Sequence, residues 1–251
     1  MKLRYVSDIH LEFMNSRQID HCIRQLSPIS DEVLILAGDI GNPCHQHYET
    51  FLDHVNRNFR KTFLLAGNHE YYKHGRTVDE VNRYIQSLLK GYPTISFLQN
   101  SCELFEGVNF IGTTLWSEVT NPHITINDTK LIHGMTPNTY QNHHMECRAF
   151  LEEALQSSPI EQNVILTHHM PSYDLIDLQY RRGSMEQYNQ WFATDLNDWI
   201  ETNNKRIKCW IYGHTHSPSE RMLSGVPMLC NPIGYPGEQG TVNYCKQFLI
   251  E

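Results

Sequence analysis

Residues 62–70 of the chain read TFLLAGNHE, a mostly apolar run of five that ends in Gly67, Asn68, His69 and Glu70. Continuous apolar runs of this length are typical of buried β-strands. Glycine after the run allows a sharp backbone turn, and Asn68 and His69 place an amide oxygen and an imidazole directly beyond it. Asn and His also tolerate left-handed turn geometry, so this stretch alone is compatible with a plain turn or a functional site.

Five further apolar runs resemble residues 62–66, and four of these also end in polar residues. The runs are 3–7 before Asp8, 33–37 before Gly38-Asp39, 108–114, 164–167 before His168-His169, and 209–212 before Gly213-His214-Thr215-His216. In open α/β sheets, ligands bind beyond the carboxyl ends of the strands. The repeated placement of polar residues therefore predicts one site at a common sheet edge.

The segments between the early runs have helical spacing of apolar residues, as in residues 19–26, 51–59 and 78–89. Strands that alternate with helices predict an α/β domain with a largely parallel sheet. Short strands dominate from about residue 95, which predicts a second sheet or an antiparallel extension. Helical patterns return at 143–156 and 186–202. No internal repeat or Gly/Ser linker is present, so we expect one domain over residues 1–251.

The composition narrows the functional class. Lys and Arg number 20 and Asp and Glu 28, giving a net charge of −8, and no basic run is present. An acidic chain does not suit electrostatic clamping of long nucleic acids. The seven cysteines are scattered without a Cys-x-x-Cys pair, which favours reduced thiols and a cytoplasmic location. No apolar stretch is long enough for a membrane span. A chain of this length does not need a metal ion merely to fold. Its 15 histidines therefore call for an explanation other than folding.

The polar residues at the strand ends are metal-ligand types. Asp8 and His10 are two positions apart, and Asp39 follows a glycine turn. Each pair alone is also common in turns, and a single buried histidine usually needs only one hydrogen bond. Four histidines at two strand ends, at 168, 169, 214 and 216, are not explained by packing in this way.

The ordered set Asp-x-His, Gly-Asp, Gly-Asn-His-Glu, His-His-x-Pro and Gly-His-x-His resembles the calcineurin-like metallophosphoesterase superfamily over residues 8–216. The resemblance implies an α/β fold, a four-layer αββα sandwich of two mixed β-sheets flanked by helices. It also implies two divalent metal ions. Carboxylate, amide and imidazole ligands suit Mn, Fe, Zn, Ni or Co better than Ca or Mg, and we retain manganese among the candidates.

The resemblance further implies a role for each motif residue. One ion would be held by Asp8, His10, Asp39 and His216, and the other by Asp39, Asn68, His168 and His214. Asp39 would bridge the ions, and a hydroxide between them would attack phosphorus in line, with His69 as the general acid. Glu70 is expected either to orient a ligand or His69 or to face solvent. His169 is expected to support a ligand or to face the phosphate.

The same core serves several reactions, so the substrate needs separate argument. The arginines that phosphoprotein phosphatases of this superfamily carry after Gly-Asp and before Gly-Asn-His-Glu are replaced here by Gly41-Asn42 and Ala66. We therefore expect a small phosphodiester substrate and no membrane partner. A phosphomonoesterase or nucleotidase, an exonuclease, and a non-catalytic scaffold of this fold are the alternatives.

Three segments outside the motifs are candidates for specificity. Residues 116–140 are expected to form a long loop near the site. Residues 172–188 carry tyrosines that could stack on a base and Arg181-Arg182 that could hold phosphate, with a solvated helix as the alternative. Asn231-Pro232-Ile233-Gly234-Tyr235 resembles an Asn-Pro-Arg-Gly-Tyr stretch of some superfamily members, with Ile233 in place of the arginine.

Overall fold

The computed structural model describes residues 1–28, 31–238 and 243–250. Its first sheet has the strand order β11-β1-β2-β3-β4. These strands are β1 (Lys2–Val6), β2 (Glu32–Ala37), β3 (Lys61–Leu65), β4 (Ile95–Phe97) and β11 (Gln247–Leu249). β1 to β4 run parallel, and β11 pairs antiparallel with β1. Every residue of β2 and β3 is buried, which explains their continuous apolar sequences.

Helices connect the parallel strands of this sheet. They are α1 (Ser16–Gln25), α2 (Gln46–Asn58) and α3 (Val78–Leu88). Asn15 and Thr77 each form a capping box with the residue three positions later, which satisfies free amide groups at the starts of α1 and α3. The buried residues of all three helices recur at three- and four-residue spacing, as the sequence predicts.

A second, six-stranded sheet has the order β5-β6-β7-β8-β10-β9. The strands are β5 (Ser101–Phe105), β6 (Val108–Thr113), β7 (Asn163–Thr167), β8 (Ile207–Tyr212), β9 (Ser219–Leu223) and β10 (Val226–Cys230). β6, β7, β8 and β10 are parallel, while β5 and β9 form antiparallel edges. The predicted second sheet is therefore present, and it is mixed.

The two sheets face each other across an inner apolar core, which contains Tyr5, Ile35 and Phe63 from the first sheet and Phe110 and Val164 from the second. The outer faces pack on helices. α1 to α3 cover the first sheet, while α5 (Pro137–Ser157) and α6 (Asn197–Asn203) contribute buried residues beside the second. This arrangement confirms the predicted sandwich of two mixed sheets flanked by helices.

Two predicted features differ from the structure. The helical pattern at 186–202 is not one helix, because residues Gly183–Trp191 form 3-10 turns and only Asn197–Asn203 are α-helical. An isolated bridge between Met170 and Ala193 interrupts the pattern and fixes residue 193 beside the end of β7. The loop expected at 116–140 contains the short helix α4 (Asp128–Leu131) and the start of α5.

Among the described residues, no helix combines the length and apolarity that crossing a membrane requires.

Candidate dinuclear metal centre

The ends of β1, β2, β3, β7 and β8 bring the predicted site residues to one place. Backbone hydrogen bonds tie the first two loops together: the amide of Asp8 donates to the carbonyl of Gly38 and the amide of His10 to that of Asp39, both at 3.0 Å. Asp8, His10, Asp39 and His214 all have positive φ, between 52° and 64°. Left-handed conformations of non-glycine residues are unfavourable and cluster at functional sites. Four such residues in one place therefore identify this edge as a candidate site.

Glycine is required where the loops approach the candidate ligands. A Cβ atom on Gly67 would overlap the Asp39 carboxylate and the His168 imidazole, and one on Gly38 would overlap His168 and the backbone of Gly67. The glycines that precede the Asp and Asn of these motifs therefore serve close approach.

One group of side chains matches the first predicted ion site. His10 Nε2 lies 3.2 Å from His216 Nε2 and 3.8 Å from Asp39 Oδ2, and His216 Nε2 lies 3.8 Å from Asp8 Oδ1. Ligand atoms about 2.0–2.2 Å from a metal ion are themselves about 3–3.5 Å apart. The spacing of Asp8, His10, Asp39 and His216 therefore fits a common ion.

A second group matches the other predicted ion site. His168 Nε2 lies 3.4 Å from Asp39 Oδ2, 3.1 Å from Asn68 Oδ1 and 3.2 Å from His214 Nδ1. Asp39 Oδ2 thus faces both groups, as a bridging ligand would. Nε2 of His214 is buried without a hydrogen-bond partner, whereas its Nδ1 faces the other ligands.

Three of the four predicted histidine ligands have their outer nitrogen held by an acceptor. Nδ1 of His168 donates to the carbonyl of Ala37 at 2.9 Å, and Nδ1 of His216 donates to Glu238 at 2.6 Å. Nδ1 of His10 donates to Glu12 at 3.2 Å. Such contacts fix the tautomer so that Nε2 keeps a free lone pair toward a metal ion.

The acidic side chains and imidazoles of the site shift one another's pKa. Burial favours a neutral Asp39, but His168 and His69 outweigh it and hold the pKa of Asp39 well below its usual value. Burial likewise opposes protonation of His168, yet Asp39 raises the pKa of that imidazole to about 10. Metal binding requires a neutral imidazole, so an ion at this position would displace the proton of His168.

Glu70 is completely buried and has a structural role within the site. Its carboxylate accepts hydrogen bonds from the amides of Asp39, Ile40, Gly41 and Gly67 at 2.7–3.2 Å. Burial and the charge of Asp39 raise the pKa of Glu70 to about 8, although the amides of Gly41 and Gly67 act in the opposite direction. Glu70 thus joins the loops after β2 and β3 through their backbones.

Glu12 is the residue that holds the side chain of His69. Glu12 Oε1 accepts from Nδ1 of His69 at 3.0 Å and from Nδ1 of His10 at 3.2 Å. Burial of His69 opposes protonation, but Asp39 and Glu12 outweigh it and raise the pKa of His69 to about 9. The sequence analysis did not single out Glu12, although the spacing Asp8, His10, Glu12 extends the motif by one further alternate position.

Asn68 is oriented by a buried carboxylate. Its Nδ2 donates to Asp128 Oδ1 and to the hydroxyl of Tyr72, both at 2.9 Å, which turns the amide oxygen toward His168. Asp128 lies in α4, within the loop that the sequence analysis placed near the site. The position of this segment therefore agrees with that prediction.

His169 is buried and has both ring nitrogens engaged. Nδ1 donates to the carbonyl of Thr114, and Nε2 accepts from the hydroxyl of Tyr140, each at 3.2 Å. Burial and the charge of His168 lower the pKa of His169 to about 3, so the ring is neutral. Its ring centroid lies 4.2 Å from that of His214. His169 is therefore placed to support a predicted ligand.

Tyr235 covers the site from the C-terminal part of the chain. Amides of Ile233 and Gly234 donate to the carbonyls of Ser7 and Asp8, which fixes this stretch beside β1. The Tyr235 ring lies 4.5 Å from His10 and 4.6 Å from His216, and its hydroxyl lies 3.3 Å from Nε2 of His69. The stretch that resembles Asn-Pro-Arg-Gly-Tyr thus reaches the site through its tyrosine.

A cavity of about 660 Å³ opens onto both predicted ion sites. Asp39, Asn68, His69, His214 and His216 line its base, and residues of segments 125–130 and 170–192 line its sides. Among the tyrosines of the segment 172–188, Tyr180 and Tyr188 line this cavity and Tyr173 does not, so stacking on a base stays a prediction. Arg181 does not line it, and donates instead to the carbonyls of Ile176 and Asp174.

The donor set fits divalent metal ions of the predicted kind. Two groups within the described residues, Asp8/His10/His216 and Asp39/His168/His214, each bring their ligand atoms within 4.8 Å of one another. A third group, His10/Glu12/His69, is also this close, but Nδ1 of both imidazoles there faces the carboxylate as a hydrogen-bond donor.

Comparison with known proteins agrees with this geometry. The calcineurin-like phosphoesterase family matches residues 1–218. An uncharacterised protein of Acanthamoeba polyphaga mimivirus is 31% identical over 96% of this chain and 94% of its own length. Phosphopantetheinyl hydrolase (PptH) from Mycobacterium tuberculosis is similar in fold, with a TM-score of 0.80 at 19% identity over 100% of this chain and 96% of that one.

A putative 5'-nucleotidase from Staphylococcus aureus has a TM-score of 0.51 at 16% identity, over 93% of this chain and 49% of that protein. The family match covers all five motifs and the strands that carry them. A match to this family over most of the chain indicates a metal-dependent phosphoester hydrolase. The chain belongs to the calcineurin-like phosphoesterase family.

Proposed function

We propose that this chain hydrolyses a small phosphodiester with two divalent metal ions, held by Asp8, His10, Asp39 and His216 and by Asp39, Asn68, His168 and His214. When bound, such ions supply Lewis acidity toward the phosphate and acidify a water molecule. No serine or cysteine nucleophile is needed. The arrangement that carries the proposal is the convergence of these seven side chains beside His69, with Asp39, Asn68, His214 and His216 exposed to one cavity.

His69 acts as the proton donor to the leaving oxygen. Its Nδ1 is committed to Glu12, so Nε2 is the nitrogen that can exchange a proton with a bound substrate. Nε2 faces the hydroxyl of Tyr235 at the cavity, and the His69 side chain is 12% exposed. Burial opposes protonation of His69, but Asp39 and Glu12 raise the pKa of this imidazole, and a protonated imidazole is what a general acid requires.

The charge of the cavity favours a diester over a monoester. Lys130 is the only lysine or arginine among the described residues that line it, whereas Asp39, Asp128 and Glu238 also contribute. A phosphomonoester carries up to two negative charges near neutral pH and a diester one. The two metal ions would attract either ester, and because the side chains add only one fixed cation beyond them, the singly charged ester is the better match.

Hydrolysis assays with a matched pair of substrates test the proposal. Purified protein loaded with Mn is expected to hydrolyse bis-p-nitrophenyl phosphate with a higher kcat/KM than p-nitrophenyl phosphate. Removal of metal with EDTA is expected to abolish both activities, and added Mn, Zn, Co or Ni to restore them to different extents. A phosphopantetheinyl diester is included among the substrates because PptH, which is similar in fold, is named as a phosphopantetheinyl hydrolase.

Other outcomes would change the conclusion in defined ways. Metal-replete protein that is inert toward every mono- and diester would contradict catalysis and favour a scaffold. Preference for nucleoside monophosphates would favour a nucleotidase. Cleavage confined to single-stranded DNA or RNA at low salt would identify an exonuclease.

A further inference from the structure

One side of the cavity is formed by uncharged apolar and aromatic side chains from a single segment. We define the apolar wall as Met170, Ile176, Tyr180, Met185, Tyr188 and Phe192, all of which line the cavity. The segment starts and ends at the second sheet, because the amide of Met170 donates to the carbonyl of Phe192 and the amide of Thr194 to that of Met170. The wall is thus anchored beside His168 and His169 at the end of β7.

The outer part of the wall is exposed, and its base is buried. Tyr180 and Met185 are 41% and 46% exposed, while Ile176 and Met170 at its base are buried. Exposed apolar groups that surround a cavity mark binding sites for apolar ligand groups. The wall carries no charge, so an ionised substituent placed against it would lose hydration without compensation.

The wall and the proton donor lie against different predicted ion sites. The ring of Phe192 lies 4.6 Å from His214, which belongs to the site with His168. The ring of His69 lies 4.5 Å from His10, which belongs to the other site. The departing ester oxygen lies on the side of His69, which protonates it where the leaving group needs a proton. The wall therefore faces the ester group that stays on phosphorus.

We propose that the apolar wall binds an uncharged aliphatic or aromatic ester group that is retained on phosphorus during hydrolysis. This inference rests on the proposed phosphodiesterase function and adds the class of substrate. It also gives a reason for diester preference, since a monoester leaves the wall without an occupant.

A series of substrates with one leaving group tests the wall. Methyl, propyl, hexyl and phenyl p-nitrophenyl phosphates all release p-nitrophenolate and differ only in the retained group. With the Mn-loaded protein, we expect kcat/KM to be about 15-fold higher for the propyl ester than for the methyl ester, because propyl adds two methylenes and each buried methylene contributes about 4-fold. The hexyl and phenyl esters should be at least as good as propyl.

Variants locate the effect on the wall. Combined replacement of Tyr180→Ala and Met185→Ala removes the exposed part of the wall without opening the core. It is expected to lower the hexyl-to-methyl ratio of kcat/KM about 5-fold or more. Leu178→Ala is the matched control, because Leu178 is 71% exposed in the same segment and does not line the cavity. The hexyl-to-methyl ratio of kcat/KM for Leu178→Ala should equal that of the unmodified protein.

The outcomes separate this inference from the proposed function. Equal kcat/KM for all four esters, or a double variant that keeps the full ratio, would overturn the role of the wall while diester hydrolysis stands. Calorimetry with hexyl and methyl methylphosphonate provides a readout that does not depend on turnover. Tighter binding of the hexyl compound supports the wall even without hydrolysis, and equal affinities would overturn it.

Discussion

Two regions border the same cavity and present different side chains to it: the loops after β1, β2 and β3, and the segment 170–192. Glu70 fixes the loops after β2 and β3 through four backbone amides, and Glu12 accepts hydrogen bonds from His10 and His69 in the loops after β1 and β3. The segment 170–192 consists of turns that present uncharged side chains to the cavity. Hydrogen bonds define direction and apolar contacts do not. The loops are therefore suited to chemistry and the segment to selection among substrates.

Replacement of Asp39 tests the loops most severely. Asp39→Asn removes the carboxylate that faces both predicted ion sites, so we expect metal content to fall from two ions per chain and kcat/KM to drop about 10³-fold or more for every ester. Elemental analysis and hydrolysis of bis-p-nitrophenyl phosphate measure both effects. Asp20→Asn, at an exposed position of α1, is the control. A variant that still holds two ions would contradict the bridging role.

Replacement of His69 should affect chemistry without affecting metal. His69→Ala is expected to lower kcat about 10²–10⁴-fold for an alkyl leaving group, which needs a proton, and much less for p-nitrophenolate, which leaves without one. Metal content should stay at that of the unmodified protein. His21→Ala, at an exposed position, serves as control. Equal losses for both leaving groups would exclude His69 as general acid.

Glu12→Gln should reproduce the His69 effect at smaller size. Gln keeps the shape of the side chain but weakens the hold on His69 and His10, so we expect a loss of about 10–100-fold. The loss should again be larger for alkyl than for p-nitrophenyl leaving groups, a pattern that general destabilisation would not produce. Glu153→Gln, on the exposed face of α5, is the control. A uniform loss would assign Glu12 to metal binding alone.

Lys130→Ala should have the smallest effect of these substitutions. Lys130 lies neither in the loops after β1, β2 and β3 nor in the segment 170–192. Lys130 is exposed at the cavity, where a single charge contributes up to about 1 kcal/mol. We expect KM to rise a few fold at low salt, more for a monoester than for a diester, and the difference to vanish at high salt. Steady-state kinetics at two salt concentrations measure this. A large loss of kcat would place Lys130 in the chemistry and break the division between the two regions.

The sequence specified the elements that carry the predicted ligands closely. All six strands expected from apolar runs are present within two residues at each end, and α1 to α3 occupy the segments with helical spacing. These elements are predictable because their residues are buried on both faces or along one face, and burial imposes a local pattern. The pattern at 186–202 was misleading, since bridging of Ala193 to Met170 overrides the helical spacing around it.

The sequence by itself determined the order of the motifs, and with it the family and the set of seven candidate ligands. Only the tertiary structure decided what holds and surrounds them. Glu12 meets His69 across 57 positions, Tyr235 meets the same imidazole across 166, and Asp128 meets Asn68 across 60. The wall likewise depends on a segment that folds back onto β7. Local patterns record which face of an element is buried, whereas contacts between distant segments arise only when the two sheets pack together.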